Sequence, residues 1–276
     1  MAKRVKKHPD EMSFLDHLED LRWLLVRSTI AILIVATGVF FISGFIFDTV
    51  LFGPTKPDFI TYKLFCELSH LIGSADAFCV TEMDFVIQNT AMQGQITILI
   101  WTCITAGFIL GFPYILWELW RFISPALYEN ERKNAKMFIS VASLLFFIGV
   151  LFGYFVIIPM SVNFFASFSV SDAIKNEFNL DSYMSMLKTS VLACGLFFEL
   201  PIIIYFLSKL GLVTAAFLRK YRKYAIVIVL IVSAIITPPD VVSQVIVSIP
   251  LLIIYEISIG ISALVGKKSE VDKAPI

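Results

Sequence analysis

Between Phe85 and Trp117 the chain runs for 33 residues without a charged side chain. A water-exposed helix needs a polar face, so a run of that length excludes an ordinary soluble fold. It also exceeds the roughly 20 apolar residues that carry a helix across a hydrocarbon layer about 30 Å thick. Ser28–Phe47 is a second charge-free run, of 20 residues. Charged residues make up 16% of the chain and hydrophobic ones 58%, against about 25% charged in a typical soluble domain. Only helices and closed barrels satisfy their own backbone in lipid. The alternating segments of barrel strands are absent, so the chain reads as an all-α integral membrane protein.

The apolar runs predict one polytopic membrane domain over residues 1–276, a six-transmembrane-helix bundle. Its spans fall at about 23–47, 89–117, 137–163, 185–208, 224–238 and 241–265. Residues 1–22 are polar and basic; Ser13 and Asp16 have the spacing of a capping box. Phe14, Leu15, Leu18 and Leu21 then recur at helical spacing, which predicts a short amphipathic helix on the membrane surface. The first apolar run is too long for a cleavable leader and lacks a small-residue cleavage site, so it reads as a retained span. Helices five and six are expected to be short. The apolar part of the fifth, Tyr224–Ile236, has 13 residues, about 20 Å of helix, before Pro238 and Pro239 end it. Local thinning of the bilayer and extension of the helix into Arg219–Lys223 both remain open.

Lysine and arginine near the spans set orientation. The N-terminal segment, the two alternate loops on its side and the tail hold 18 of them, and the opposite side holds 4. Both termini are therefore expected in the cytoplasm. Three histidines and four scattered cysteines show no metal-ligand spacing, and neither a phosphate loop nor a nucleophile motif is present. The expectation is a protein that is not an enzyme, with no cofactor, no metal and no nucleic acid.

A few polar residues stand out. Glu199 lies near the middle of span four, in Phe197-Phe198-Glu199-Leu200-Pro201. A carboxylate at that depth costs at least a few kcal/mol, so it must face protein, water or a polar partner. Pro201 frees backbone groups beside it. A carboxyl bonded to a neighbouring helix and a site for another membrane helix or polar cargo are both consistent with this. Glu256 in span six is a second candidate for a buried acid. Thr237-Pro238-Pro239-Asp240 forms an outer turn in which Asp240 can cap span six, with Gln244 one turn on; capping does not explain Gln244. On the inner side Glu19 and Asp20 sit beside Arg22, and Glu131 beside Arg132 and Lys133. Such acids are ordinarily solvated surface charges, but two of them on one surface can bind two guanidinium groups. Arginine's planar fork would distinguish it from lysine there. Cys66 and Cys79 share the exterior loop, where a disulfide is permitted.

These motifs resemble one family. His17-Leu18-Glu19-Asp20-Leu21-Arg22 is similar to the HLxELR signature of the TatC family, the signal-receptor subunit of the Sec-independent twin-arginine protein translocase. Phe122-Ile123-Ser124-Pro125-Ala126-Leu127-Tyr128-Glu129-Asn130-Glu131-Arg132 resembles the family's first cytoplasmic loop. Phe198-Glu199-Leu200-Pro201 resembles its fourth-span FExP, and Thr237–Gln244 its TPPDxxSQ. The resemblance implies a receptor in the bacterial cytoplasmic membrane for twin-arginine signal peptides of folded cargo. It implies recruitment of single-span TatA-type and, where present, TatB-type subunits, export driven by the proton-motive force, contact with membrane lipid, and a homo-oligomeric complex. It assigns signal-peptide binding to Asp20 and Glu131, with Glu19, Arg22, Phe122, Leu127, Tyr128 and Arg132 around them. Glu199, Gln244 and Asp240 become the intramembrane polar site, and Pro54, Tyr154, Pro201, Pro238 and Pro239 structural positions. This chain has Asp20 where the family has glutamate, one methylene shorter. It also has Leu24 where the family often has a base, with Arg27 one turn later.

Two rivals remain. A proton-coupled secondary transporter would use Glu199, though such folds usually show internal symmetry and none is visible. An intramembrane enzyme would need a nucleophile or metal cluster at membrane depth.

Overall fold

The first helix, α1 (Phe14–Phe41), runs through the polar N-terminal segment into the first apolar run without a break. The computed structural model describes residues 14–71, 79, 83, 85–124, 135–171, 176–237 and 241–271. The surface helix expected over 1–22 is, for its described residues, the opening turns of the span itself. No glycine or proline lies between Phe14 and Gly38 to interrupt it.

A π-helical turn (Ile46–Leu51) and a 3-10 turn (Gly53–Thr55) lead from α1 to α2 (Ile60–Leu71). Then come β1 (Val86–Gln88) and α3 (Gly94–Ile123). Next are α4 (Ala135–Phe152), a π-helical turn (Gly153–Ile157) and α5 (Ile158–Ser167). After β2 (Glu177–Asn179) the chain continues as α6 (Leu180–Phe198), α7 (Leu200–Lys209), α8 (Ala215–Lys220), α9 (Arg222–Ile236) and α10 (Val241–Val271).

Among the described residues, five helical stretches are long and apolar enough to cross a membrane: His17–Phe41, Gly94–Ile123, Lys136–Ser167, Leu180–Lys209 and Ser243–Gly266. The fifth helix of the six-helix pattern, α9, has 15 residues, about 22 Å of helix, and is short as expected. The sixth is not. α10 has 31 residues, because Pro250 sits within it without ending it and no proline follows before Val271. Its apolar part is only the 24-residue Ser243–Gly266.

The charge-free run that begins at Phe85 is not helical at its start. Val86, Ile87 and Gln88 pair in parallel with Glu177, Phe178 and Asn179. Gln88 Nε2 donates to Glu177 Oε2 at 2.6 Å, and Asn179 Nδ2 to Thr90 Oγ1 at 2.7 Å. Three-residue strands carry no readable periodicity, so this pairing was not foreseen.

The chain divides into two compact units, one of Met1–Ser43 with Leu99–Leu144 and one of Gly44–Ile98 with Leu145–Ile276. In the first, α1 lies against α3 so closely that a Cβ on Gly107 would sit 2.7 Å from the Ile32 carbonyl oxygen. Trp120 stacks on Phe138 of α4 at 5.3 Å.

In the second unit, Gly149 and Gly153 let one helix approach α6. A Cβ on Gly149 would meet the Cys194 carbonyl oxygen at 2.6 Å and the Gly195 Cα at 2.9 Å. Small residues four apart are the usual means of close helix packing in lipid, where burying apolar surface brings little. Hydroxyls supply the rest. Ser233 Oγ lies 2.8 Å from Ser248 Oγ, Ser208 Oγ donates to Ser262 Oγ at 2.8 Å, and Tyr255 donates to the Leu218 carbonyl at 2.9 Å.

Three tyrosines fasten the turns that follow α1. Tyr154 donates to the Val50 carbonyl and Tyr183 to the Leu51 carbonyl, each at 2.5 Å. Tyr62 donates to the carbonyls of Pro54 at 2.7 Å and Pro159 at 3.1 Å. Burial pushes the Tyr62 phenol well above its ordinary range, so it stays a donor. Pro54, whose side chain is fully buried, and Tyr154 thus meet the same segment. Cys66 and Cys79 are joined by a disulfide.

Gly149→Val should lower the melting temperature of the detergent-purified protein, at a cost of about 1–3 kcal/mol for forcing a side chain into a packed seam. A Cβ on Gly38 would meet nothing within 4 Å, so Gly38→Ala should melt like the parent. Equal melting of the two variants would contradict the seam.

Candidate functional site

His17, Asp20, Leu24 and Arg27 fall on one stripe of α1, spaced three and four residues apart. Tyr114, Glu118 and Phe122 form a matching stripe at four-residue intervals near the C-terminal end of α3. The two stripes meet. The His17 ring stacks on Phe122 with centroids 4.5 Å apart, and Leu24 is buried.

Nearly three turns beyond His17 on α1, Arg27 Nη1 donates to Glu118 Oε2 at 3.4 Å. Glu118 is buried, with 4% of its side chain exposed. Tyr114 donates to its Oε1 at 3.2 Å, and Arg121 Nη1 lies 3.9 Å from the same oxygen. A buried carboxylate needs such partners, since an unpaired one would cost several kcal/mol. The Arg27 guanidinium lies 5.9 Å from the Trp23 ring centroid, so its side chain is directed toward the N-terminal end of α1.

Asp20 is exposed, and among the described residues it has no ion-pair partner. Arg22 is likewise exposed, and Glu19 is half-buried. Leu127, Tyr128, Glu131 and Arg132 lie outside the described residues. Of the residues expected to form one surface, the structure therefore brings Phe122 to α1 and leaves Asp20 exposed on that helix. Glu118 was not singled out from sequence. The available signal was an acid that ends the charge-free run and has a tyrosine four residues before it and an arginine three after.

The intramembrane acid of the second unit interrupts its helix. α6 ends at Phe198 and α7 begins at Leu200, with Pro201 at its second position. Glu199 links them with φ −76° and ψ −9°; its carbonyl accepts from Ile202 and Ile203 at 3.0 Å each. Glu199 is buried, 6% exposed, and its Oε1 has no hydrogen-bond partner among the described residues. Around the break lie Phe198 and Cys194 of α6, Val229 of α9 and Val247 and Leu251 of α10, all within one buried cluster.

Gln244, on α10, donates through Nε2 to the Leu230 carbonyl of α9 at 3.1 Å. Asp240, Pro238 and Pro239 lie outside the described residues. Thr237 is buried and turns its hydroxyl back onto the Ser233 carbonyl at 2.8 Å. An open cavity of about 670 Å³ lies between Ser185, Thr189 and Ser190 of α6 and the end of α9 at Ile236 and Thr237.

Glu256 departs from expectation. It is about half exposed and paired with Arg222 at 2.7 Å. Arg222 opens α9, so the two helices carry opposite charges at one level, and the acid is not buried. Cys66, His70 and Cys79 bring their ligand atoms within 4.8 Å of one another. With the two sulfurs joined, the imidazole is the one donor left to a metal.

The family model for the Sec-independent protein translocase protein TatC matches residues 16–250. The Sec-independent protein translocase protein TatC of Blattabacterium sp. subsp. Periplaneta americana is 44% identical over 96% of this chain and 100% of its own length. The TatCy protein of Bacillus subtilis is 36% identical over 96% of this chain and 94% of its own. A crystal structure of the twin arginine translocase receptor TatC is similar with a TM-score of 0.69 at 33% identity, covering 91% of this chain and 99% of that one. The chain is a multi-pass membrane protein and belongs to the TatC family of Sec-independent protein translocase proteins.

Proposed function

We propose that this chain is the receptor of a twin-arginine protein translocase, lying in the bacterial cytoplasmic membrane with both ends in the cytoplasm. It binds the Arg-Arg signal peptides of folded proteins and is not an enzyme. Asp20 and Glu131 accept the two guanidinium groups, and Glu19, Arg22, Phe122, Leu127, Tyr128 and Arg132 shape the surface around them. The observation that carries this reading is Asp20. It is an exposed carboxylate with no cationic partner among the described residues, three residues from an imidazole held by Phe122. A carboxylate kept open in this way suits a planar two-toothed donor better than a point charge.

Glu199, with Gln244 and Asp240, receives the helix of a single-span TatA-type or TatB-type subunit, and assembly of several receptors and partners permits export driven by the proton-motive force. A buried carboxyl oxygen without a partner among the described residues supports this, since a polar group of an arriving helix would complete it. The same oxygen would suit a proton-coupled transporter. Substrate uptake by liposomes holding this chain alone would favour that second reading.

Glu131→Gln should reduce crosslinking of an Arg-Arg signal peptide by about tenfold, the worth of a charged hydrogen bond, while membrane insertion stays intact. Unchanged crosslinking would remove Glu131 from the site. Glu199→Leu should leave melting in detergent unchanged or raise it, because it deletes an unsatisfied buried oxygen. The same variant should lose crosslinks to the partner helix. A clear drop in melting temperature would instead mean that the carboxyl has a structural partner.

A further inference from the structure

Resting on the receptor reading, we infer that Glu118 is a positioning residue for signal recognition: it holds the chain's own Arg27 so that Asp20 stays open to a guanidinium from outside. Glu118 is buried and already accepts from Arg27 and Tyr114, with Arg121 beside it. It has neither the exposure nor the free oxygen to meet a guest peptide. Its effect passes through Arg27.

The competition follows from helix geometry. Arg27 stands seven residues beyond Asp20, nearly the same side of α1 and about 10.5 Å along its axis. Helical side chains lean toward the N-terminus, and Arg27 already lies over Trp23, halfway to Asp20. Arg22 does not compete in this way, since residues two apart on a helix do not face each other. A released Arg27 would therefore be a tethered guanidinium beside Asp20, present at an effective concentration in the millimolar range.

An exposed ion pair of this kind is worth less than about 1 kcal/mol, so it would occupy Asp20 part of the time and weaken guest binding about two- to sixfold. With Arg27 seated on Glu118, that cost is absent. A receptor that must recognise arginine while carrying arginines of its own needs such a separation.

The test is binding of a labelled Arg-Arg signal peptide, with a Lys-Lys peptide as control, to the full-length chain purified in detergent. Glu118→Gln should weaken Arg-Arg binding about two- to sixfold. Glu118→Gln combined with Arg27→Gln should restore it to the parent level, which a merely structural role for Glu118 would not allow. Arg27→Gln alone leaves the buried carboxylate with Arg121 and Tyr114 and should bind as the parent does. Full binding by Glu118→Gln, continued weakness of the double variant, or weakened binding by Arg27→Gln would each overturn the inference. If the parent chain fails to prefer Arg-Arg over Lys-Lys, the receptor reading itself fails, a result distinct from those three.

Discussion

Lipid offers no hydrogen bonds, and the architecture of this protein follows from that. Backbone polar groups at membrane depth must find their partners inside the chain. Several hydroxyls also turn back onto carbonyls or onto each other, as Thr237 does on Ser233 and Ser233 with Ser248. Glycines bring backbones together where apolar burial cannot, at Gly107 in one unit and at Gly149 and Gly153 in the other. Two buried acids answer the same demand differently. Glu118 is surrounded by two arginines and a tyrosine. Glu199 keeps an oxygen with no hydrogen-bond partner among the described residues.

That contrast separates an acid engaged on both oxygens within the chain from one with an oxygen left unpaired among the described residues. A satisfied carboxylate joins α1 to α3 and has nothing left to offer. An unsatisfied one represents free energy that an arriving group can recover, since an unmet buried acceptor carries a desolvation penalty of about 1–3 kcal/mol. The helix break at Glu199 belongs to the same economy of design. Pro201 cannot donate to the turn before it, so the backbone at that point is already irregular.

The number and type of the membrane helices were legible because hydropathy is local: an apolar run announces itself without reference to the rest of the chain. The shortness of α9 was legible for the same reason, from Tyr224 to the prolines at 238 and 239. The length of α10 was not, because apolarity measures the crossing and not the helix, which continues through the polar residues after Gly266. Glu118 escaped notice because its principal partner, Arg27, is 91 residues away in sequence. The strand pair escaped because each strand has three residues and they lie far apart along the chain. The spacing Gly149-x-x-x-Gly153 was in plain view, yet its meaning depends on Cys194 and Gly195 lying opposite. Asp20, Phe122 and Glu199 were legible as candidates from motif alone. Their surroundings were not, since tertiary partners decide which acid is paired and which is left open.

The turns after α1 are tied down by Tyr62, Tyr154 and Tyr183 through the oxygens of residues 50, 51 and 54. A main-chain oxygen is common to all twenty amino acids. The fastening therefore specifies a path for the polypeptide and is indifferent to what decorates it. This stretch is free to drift in sequence, or to be rewritten as a recognition surface, without coming loose, whereas the three phenols that grip it have no such latitude.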